Sequence, residues 1–283
     1  MNKYIHNLFS EHFVGSTTKW FVRFVYGWFV LFFILYASDI SAIWGTNSAL
    51  IRYSAADTPV NNFVYILMYQ LHWFWIVAAL HLIAAILSFM NFWQTSLFRI
   101  IVWVTGVLLY FSGIPAMNSG YLFMLLLAFY CIPFVSRPKM ELHFFLNRIV
   151  LFTCKLQLYL VYVFSAIFKV TSKQWLSGEA LYYTFTSDRF SPEWIKKLSF
   201  YSPFWVIIIL AYFIMVFQLF FPIWSIWNKT RKWAIYIGVL MHIYIGLVMG
   251  LWDFALAMLI PYLLLVQTTG QKIDPTPHPQ PTL

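Results

Sequence analysis

Between Phe204 and Trp227 the chain runs without one charged residue. A helix of about 20 apolar residues, rising 1.5 Å per residue, crosses a ~30 Å hydrocarbon core. Comparable runs lie at about Trp20–Ile40, Phe63–Met90, Ser96–Ala116, Gly120–Val135, Glu141–Val170, Trp233–Leu251 and Phe254–Gln267, and this one extends over Pro203–Trp227. The pattern predicts an all-α polytopic transmembrane bundle of about eight spans. Glu141–Val170 is longer than a bilayer requires, so it tilts or protrudes. Pro222 marks a kink in the sixth span. The polar loop at 41–62 contains Pro59, which should break any helix there.

Composition excludes the soluble alternative. The 283 residues are 62% hydrophobic and only 10% charged, against about 25% charged in soluble domains. Fourteen Trp and eighteen Tyr suit two interfacial belts. A net charge of +9 would suggest nucleic acid in a soluble chain. Here the bases flank apolar runs, so the expected partners are membrane lipids and no nucleic acid. Eight spans put both termini on one side, together with Lys3, Lys19, Arg137, Lys139, Lys229, Arg231 and Lys232. By the positive-inside rule that side is the cytoplasm, and the membrane is a bacterial inner membrane crossed many times. Lys169 and the loop 171–202 then face outward, although this loop carries bases of its own, including Arg189. The division reads as an interfacial amphipathic segment at 1–19, a transmembrane domain at 20–267 and a Pro-rich disordered tail at 268–283. No removable signal peptide is expected. Cys131 and Cys154 lie in apolar runs without metal spacing and read as packing residues.

Ionisable groups inside spans are costly and tend to face protein or a wet cavity. Arg148, Lys155, Tyr162 and Lys169 recur every seven residues, on one slowly drifting helical stripe. Snorkelling of the lysines to the headgroups is the simpler account of that stripe. Gly238, His242, Gly246 and Gly250 recur every fourth residue, which brings another helix close and points His242 into protein. There it serves either as a proton carrier or as a hydrogen-bonded packing residue. His72 and His81, nine apart, are too distant for joint ligation, and no metal is expected. Asp39, Asp57 and Asp253 lie at span ends, where a carboxylate is ordinarily solvated. The glycosylation sequon at Asn228 falls on the cytoplasmic side.

Three places in this order resemble the vitamin K-dependent γ-carboxylases and their bacterial HTTM-domain relatives. Asn118-Ser-Gly-Tyr-Leu122 is similar to the family's Asn-His-Ser-Tyr-Leu. Gln157, Tyr162-Val-Phe-Ser-Ala166 and Lys169, then Trp175-Leu-Ser-Gly178, resemble its tyrosine, small residues, lysine and Trp-x-x-Gly. His242 is followed by an apolar stretch to Phe254 and Pro261-Tyr262. Together these cover roughly residues 100–265. The resemblance implies Lys169 as base on reduced vitamin K, a menaquinol-type quinol, since desolvation favours a neutral amine. Ser119 stands where the family has histidine, one extra residue separates Lys169 from Trp175, and the chain ends soon after the last span. These departures leave quinol oxygenation rather than glutamate carboxylation as the implied activity. The expected site is an outward cavity with Lys169 and His242 as catalytic groups, and with Asn118, Ser119, Tyr121, Gln157, Tyr162, Trp175 and Gly178 as substrate- or cofactor-binding positions. The alternative is a non-enzymatic membrane partner. Some short HTTM proteins resemble a toxin-maturation protein that acts with partner proteins on a secreted peptide. A lipid or small-molecule carrier would instead show a pathway to both faces, lined by Lys155.

Overall fold

A computed structural model describes residues 16–44, 59–70, 73–92, 95–113, 117–188 and 191–266. The N-terminal amphipathic segment up to residue 15, His72, Asp57, Arg189 and the tail from residue 267 lie outside the described residues. Every regular element described is helical. Among the described residues four helices are long and apolar enough to cross a membrane. They are α1 (Ser16–Leu35), α7 (Glu141–Val170), α11 (Phe204–Ile226) and α12 (Asn228–Met249). Shorter apolar helices are α4 (Phe74–Phe89), α5 (Thr95–Ser112), α6 (Ser119–Tyr130) and α13 (Trp252–Leu259). The last continues through a 3₁₀ turn (Ile260–Tyr262) into α14 (Leu263–Val266). Small elements complete the list. These are α2 (Ile40–Trp44), α3 (Pro59–Tyr65) with a π segment (Ile66–Gln70), α8 (Lys173–Leu176), α9 (Glu179–Thr186) and α10 (Glu193–Tyr201).

Two expected boundaries move. Pro59 opens α3 instead of breaking it, because a first-turn proline loses only an N–H that has no intrahelical acceptor. The basic stretch Asn228–Lys232 is the first turn of α12, not a turn between helices. A single residue, Trp227, separates α11 from α12.

The core forms around α1, whose Phe21, Val25, Tyr26, Phe29 and Phe32 are all buried. Helix α4 packs on α1 and α5, α6 on α5 and α13, and α11 on both α7 and α12. The exterior carries many large apolar side chains: Ile76, Ile83, Phe145, Phe168, Ile209 and Leu240 are all exposed. Water does not favour such a surface, and acyl chains do.

The helix ends at one pole are closed by polar side chains that the apolar pattern does not show. Arg99 is fully buried, donates to the Cys131 carbonyl at 3.1 Å and to that of Phe134 at 2.5 Å, and so finishes α6. Asn147 exchanges two 2.8 Å bonds with the backbone of Val135. Arg231 donates to the carbonyls of Ser225 at 2.8 Å and Ile226 at 3.0 Å, the end of α11. It is therefore a buried cap rather than a free topological charge.

At the opposite pole, α8 to α10 form a small platform. Its core joins Leu181 and Phe185 to Ile195 and to Ile207 and Ala211 of α11. Lys196 binds Asp188 at 2.5 Å and Glu193 at 2.7 Å. The hydrogen bond from Lys196 holds the Asp188 carboxyl below its ordinary value, so this exposed pin is intact at neutral pH and is lost as the carboxyl protonates in acid. Gly178 turns the chain into α9 at φ +82°, and a Cβ there would lie 2.8 Å from Ile208 Cγ1. Gly178→Ala should therefore cost at least about 1–2 kcal/mol. A lower midpoint of thermal unfolding in detergent is the expected result.

Candidate functional site

Tyr162 sits on the inward stripe of α7 with Cys154, Leu158 and Ala166, and is buried. Its hydroxyl is 2.8 Å from Nε2 of His242 and also hydrogen-bonded to the hydroxyl of Tyr262. Phe221 stacks on Tyr162 with ring centroids 4.0 Å apart and on Tyr262 at 5.5 Å. His242 thus points into protein, as the glycine stripe predicts. The stripe has a more local cause than helix approach alone. A Cβ on Gly238 would lie 2.1 Å from the Tyr262 hydroxyl, so only glycine lets that ring reach Tyr162. Gly246 gives the same room to Trp252, and Gly250 ends α12 at φ +66°. Nδ1 of His242 is buried with no hydrogen-bond partner among the described residues. Two phenols and an imidazole in series can pass a proton along one line.

Lys169 lies seven residues beyond Tyr162, about 10 Å by helix rise. It is half-buried, and its amine donates to Ser165 Oγ at 2.7 Å and to the Ser165 carbonyl at 3.4 Å. The same nitrogen stands 4.9 Å from the centroid of Trp175. An amine so placed is held by its own helix and by an aromatic face, the geometry of a cation–π contact. Lys169 and Trp175 therefore stand together.

Asn118 is the N-cap of α6, where its Oδ1 accepts from the Gly120 amide at 2.8 Å. Its Nδ2 donates to Asp253 Oδ2 at 2.5 Å. Asp253 is not a solvated end-of-span carboxylate: it is 2% exposed, in the first turn of α13. Its carbonyl accepts from Trp28 Nε1 at 2.9 Å. Tyr36, just past the end of α1, feels the same group. Burial, then the nearby carboxylate, push its hydroxyl pKa up. The sequence hides this cluster because Asn118 and Asp253 are 135 residues apart. Gly120 packs on Phe254, whose ring lies 6.0 Å from that of His242.

The remaining predicted residues are distributed. Ser119 is exposed at the first position of α6. Tyr121 is buried among Trp28, Phe29 and Phe32, and donates to the Gly106 carbonyl at 3.3 Å. Gln157 Oε1 accepts from the Tyr130 hydroxyl at 3.2 Å, between α7 and α6. Arg148 and Lys155 are half-buried beside the inward stripe. His81 is fully buried, with Nδ1 2.8 Å from Thr105 Oγ1, and Cys131 and Cys154 are buried free thiols. Among the described residues no three His, Cys, Asp or Glu side chains gather as a metal site requires.

A cavity of about 370 Å³ opens between α1, α4 and α13, against Phe24, Trp28, Leu31, Phe89, Leu256 and Leu259. None of the predicted site residues lines it. Within the protein the Asn118 amide donates to Asp253, the Lys169 amine to Ser165, and His242 Nε2 pairs with Tyr162, which leaves His242 Nδ1 as a buried atom with no partner among the described residues.

Two substitutions test this geometry. Asn118→Ala removes a cap and the donor to a buried carboxylate, and should cost about 1–3 kcal/mol in a detergent unfolding assay. Tyr162→Phe and His242→Ala should be strongly non-additive in a double-mutant cycle, with a coupling of about 0.5–3 kcal/mol. Simple additivity would show that the hydroxyl–imidazole bond carries no weight.

No family model matches the chain, and no solved structure does. The chain is similar to the sporulation-delaying protein SdpB of Bacillus subtilis (strain 168), with 26% identity over 124 residues. The matched region is 42% of this chain and 38% of SdpB.

Proposed function

We propose that the chain is an eight-pass bacterial inner-membrane protein with cytoplasmic termini that acts in the maturation or export of a secreted peptide. Its outward end, where Lys169 and Trp175 meet the platform of α8 to α10, is the working face. The observation that carries this reading is the separation of Lys169 from the Tyr162–His242–Tyr262 group. Lys169 is tied to Ser165 and Trp175, about two helical turns from Tyr162, which supports grouping the amine with the platform and the imidazole with the bundle interior.

Three further points support it. The contacts run in register for an up-and-down bundle: Asn118 and Asp253 meet at one pole, Arg99 and Cys131 at the other. The resemblance to HTTM-domain proteins includes short members similar to a toxin-maturation protein. SdpB is named for delaying sporulation, not for a reaction.

Deletion of the gene in its host, followed by mass spectrometry of secreted peptides, tests the reading. One mature peptide should disappear while its precursor accumulates, and wild-type protein should restore it where Lys169→Ala does not. The competing enzyme reading has its own assay on purified protein. Epoxide formed from a reduced naphthoquinone and oxygen by wild type, and lost in Lys169→Ala, would replace this proposal with a γ-carboxylase-like oxygenase.

A further inference from the structure

Helix α10 has three distinct sides. Ile195 and Ser199 are buried against the platform, and Lys196 and Glu193 form the ion pair described above. The third side carries Trp194, Leu198 and Tyr201, at i, i+4 and i+7, which places them on one face. These residues are 59%, 57% and 81% exposed, and the exposed Lys197 borders them. Two residues after Tyr201 the chain enters α11, whose Phe204, Trp205 and Ile209 are exposed in their turn. The aromatic face of α10 is thus continuous along the chain with the lipid-facing surface of a spanning helix, at the level where that helix ends.

We infer that α10 is an interfacial anchor whose Trp194, Leu198 and Tyr201 lie in the headgroup layer, with Lys197 toward lipid phosphate. The chemistry fits one occupant. Amphipathic rings and a flanking lysine are the side chains that settle at the boundary between acyl chains and water. The adjoining side of the helix, with Ile195 and Ser199, is already packed on protein, so insertion needs no rearrangement of the platform. Anchoring α10 also fixes α9, because Ile195 shares a core with Leu181 and Phe185. It thereby holds the segment that begins at Trp175 and Gly178 over Lys169. The inference rests on the membrane-spanning reading and not on the peptide or the quinol.

Nitroxide labels at Leu198→Cys and Tyr201→Cys in the full-length protein provide the test. The protein is placed in vesicles of phosphatidylethanolamine and phosphatidylglycerol, and the two native cysteines are buried. Collisional access is measured with oxygen, which favours lipid, and with a water-soluble nickel chelate. Reference labels sit at Glu193→Cys on the polar side and at Ile209→Cys on α11. Both α10 labels should favour oxygen over nickel severalfold more than the Glu193 label, and less than the Ile209 label. Nickel access equal to that at Glu193, with Ile209 still oxygen-favouring, overturns the anchor and leaves the spans intact. Exclusion of both reagents also overturns it, since a protein partner then covers the face. Free nickel access at Ile209 itself would instead remove the membrane-spanning reading.

Discussion

A helix inside hydrocarbon satisfies its own backbone everywhere except at its ends, and those ends decide how this bundle is built. Arg99 and Arg231 complete the carboxyl ends of α6 and α11, and Asn147 straps the following turn to α7. At the other pole Asn118 caps α6 and in the same stroke holds the start of α13. Each of these side chains serves a backbone or a neighbour on another segment. The tertiary fold is therefore fastened at its poles, while the middle is filled by rings and small residues.

That middle tolerates few polar groups, and those present are arranged by steric permission. Gly238 admits Tyr262, Tyr262 reaches Tyr162, and Tyr162 occupies His242. Lys169 belongs to a different neighbourhood, set by Ser165 below it and by the turn that delivers Trp175 above. The two groups lie on one helix, yet they answer to different parts of the chain.

Much of this was legible in the sequence. The apolar runs located most of the long helices to within about five residues, because membrane length and hydropathy act on each segment alone. The run expected as one span at Phe63–Met90 is instead divided among α3, the π segment and α4. The stripe through Gly238 and His242 correctly turned the histidine inward. What escaped was relational. Asp253 looks like any carboxylate at a span end until Asn118 and Trp28, far away in sequence, close over it. Arg231 reads as a topological charge until its guanidinium is seen spanning the gap to α11. Tyr262 was marked by its place after Pro261 in the resemblance, but nothing in the sequence paired it with Tyr162. Pro59 was misread because its meaning depends on whether a helix starts there or is already running.

The linker between α11 and α12 is Trp227 alone, and Arg231 stitches back across it to Ser225 and Ile226. Two long helices joined so tightly enter the bundle as one hairpin. Their far tips, the end of α12 at Gly250 and the start of α11 beside Gly178, are closed in turn by one small core in which Val248 of α12 meets Ile207 and Ala211 of α11. The pair is thus pinned at both ends, and the platform takes its position from helices whose register is already set at Trp227.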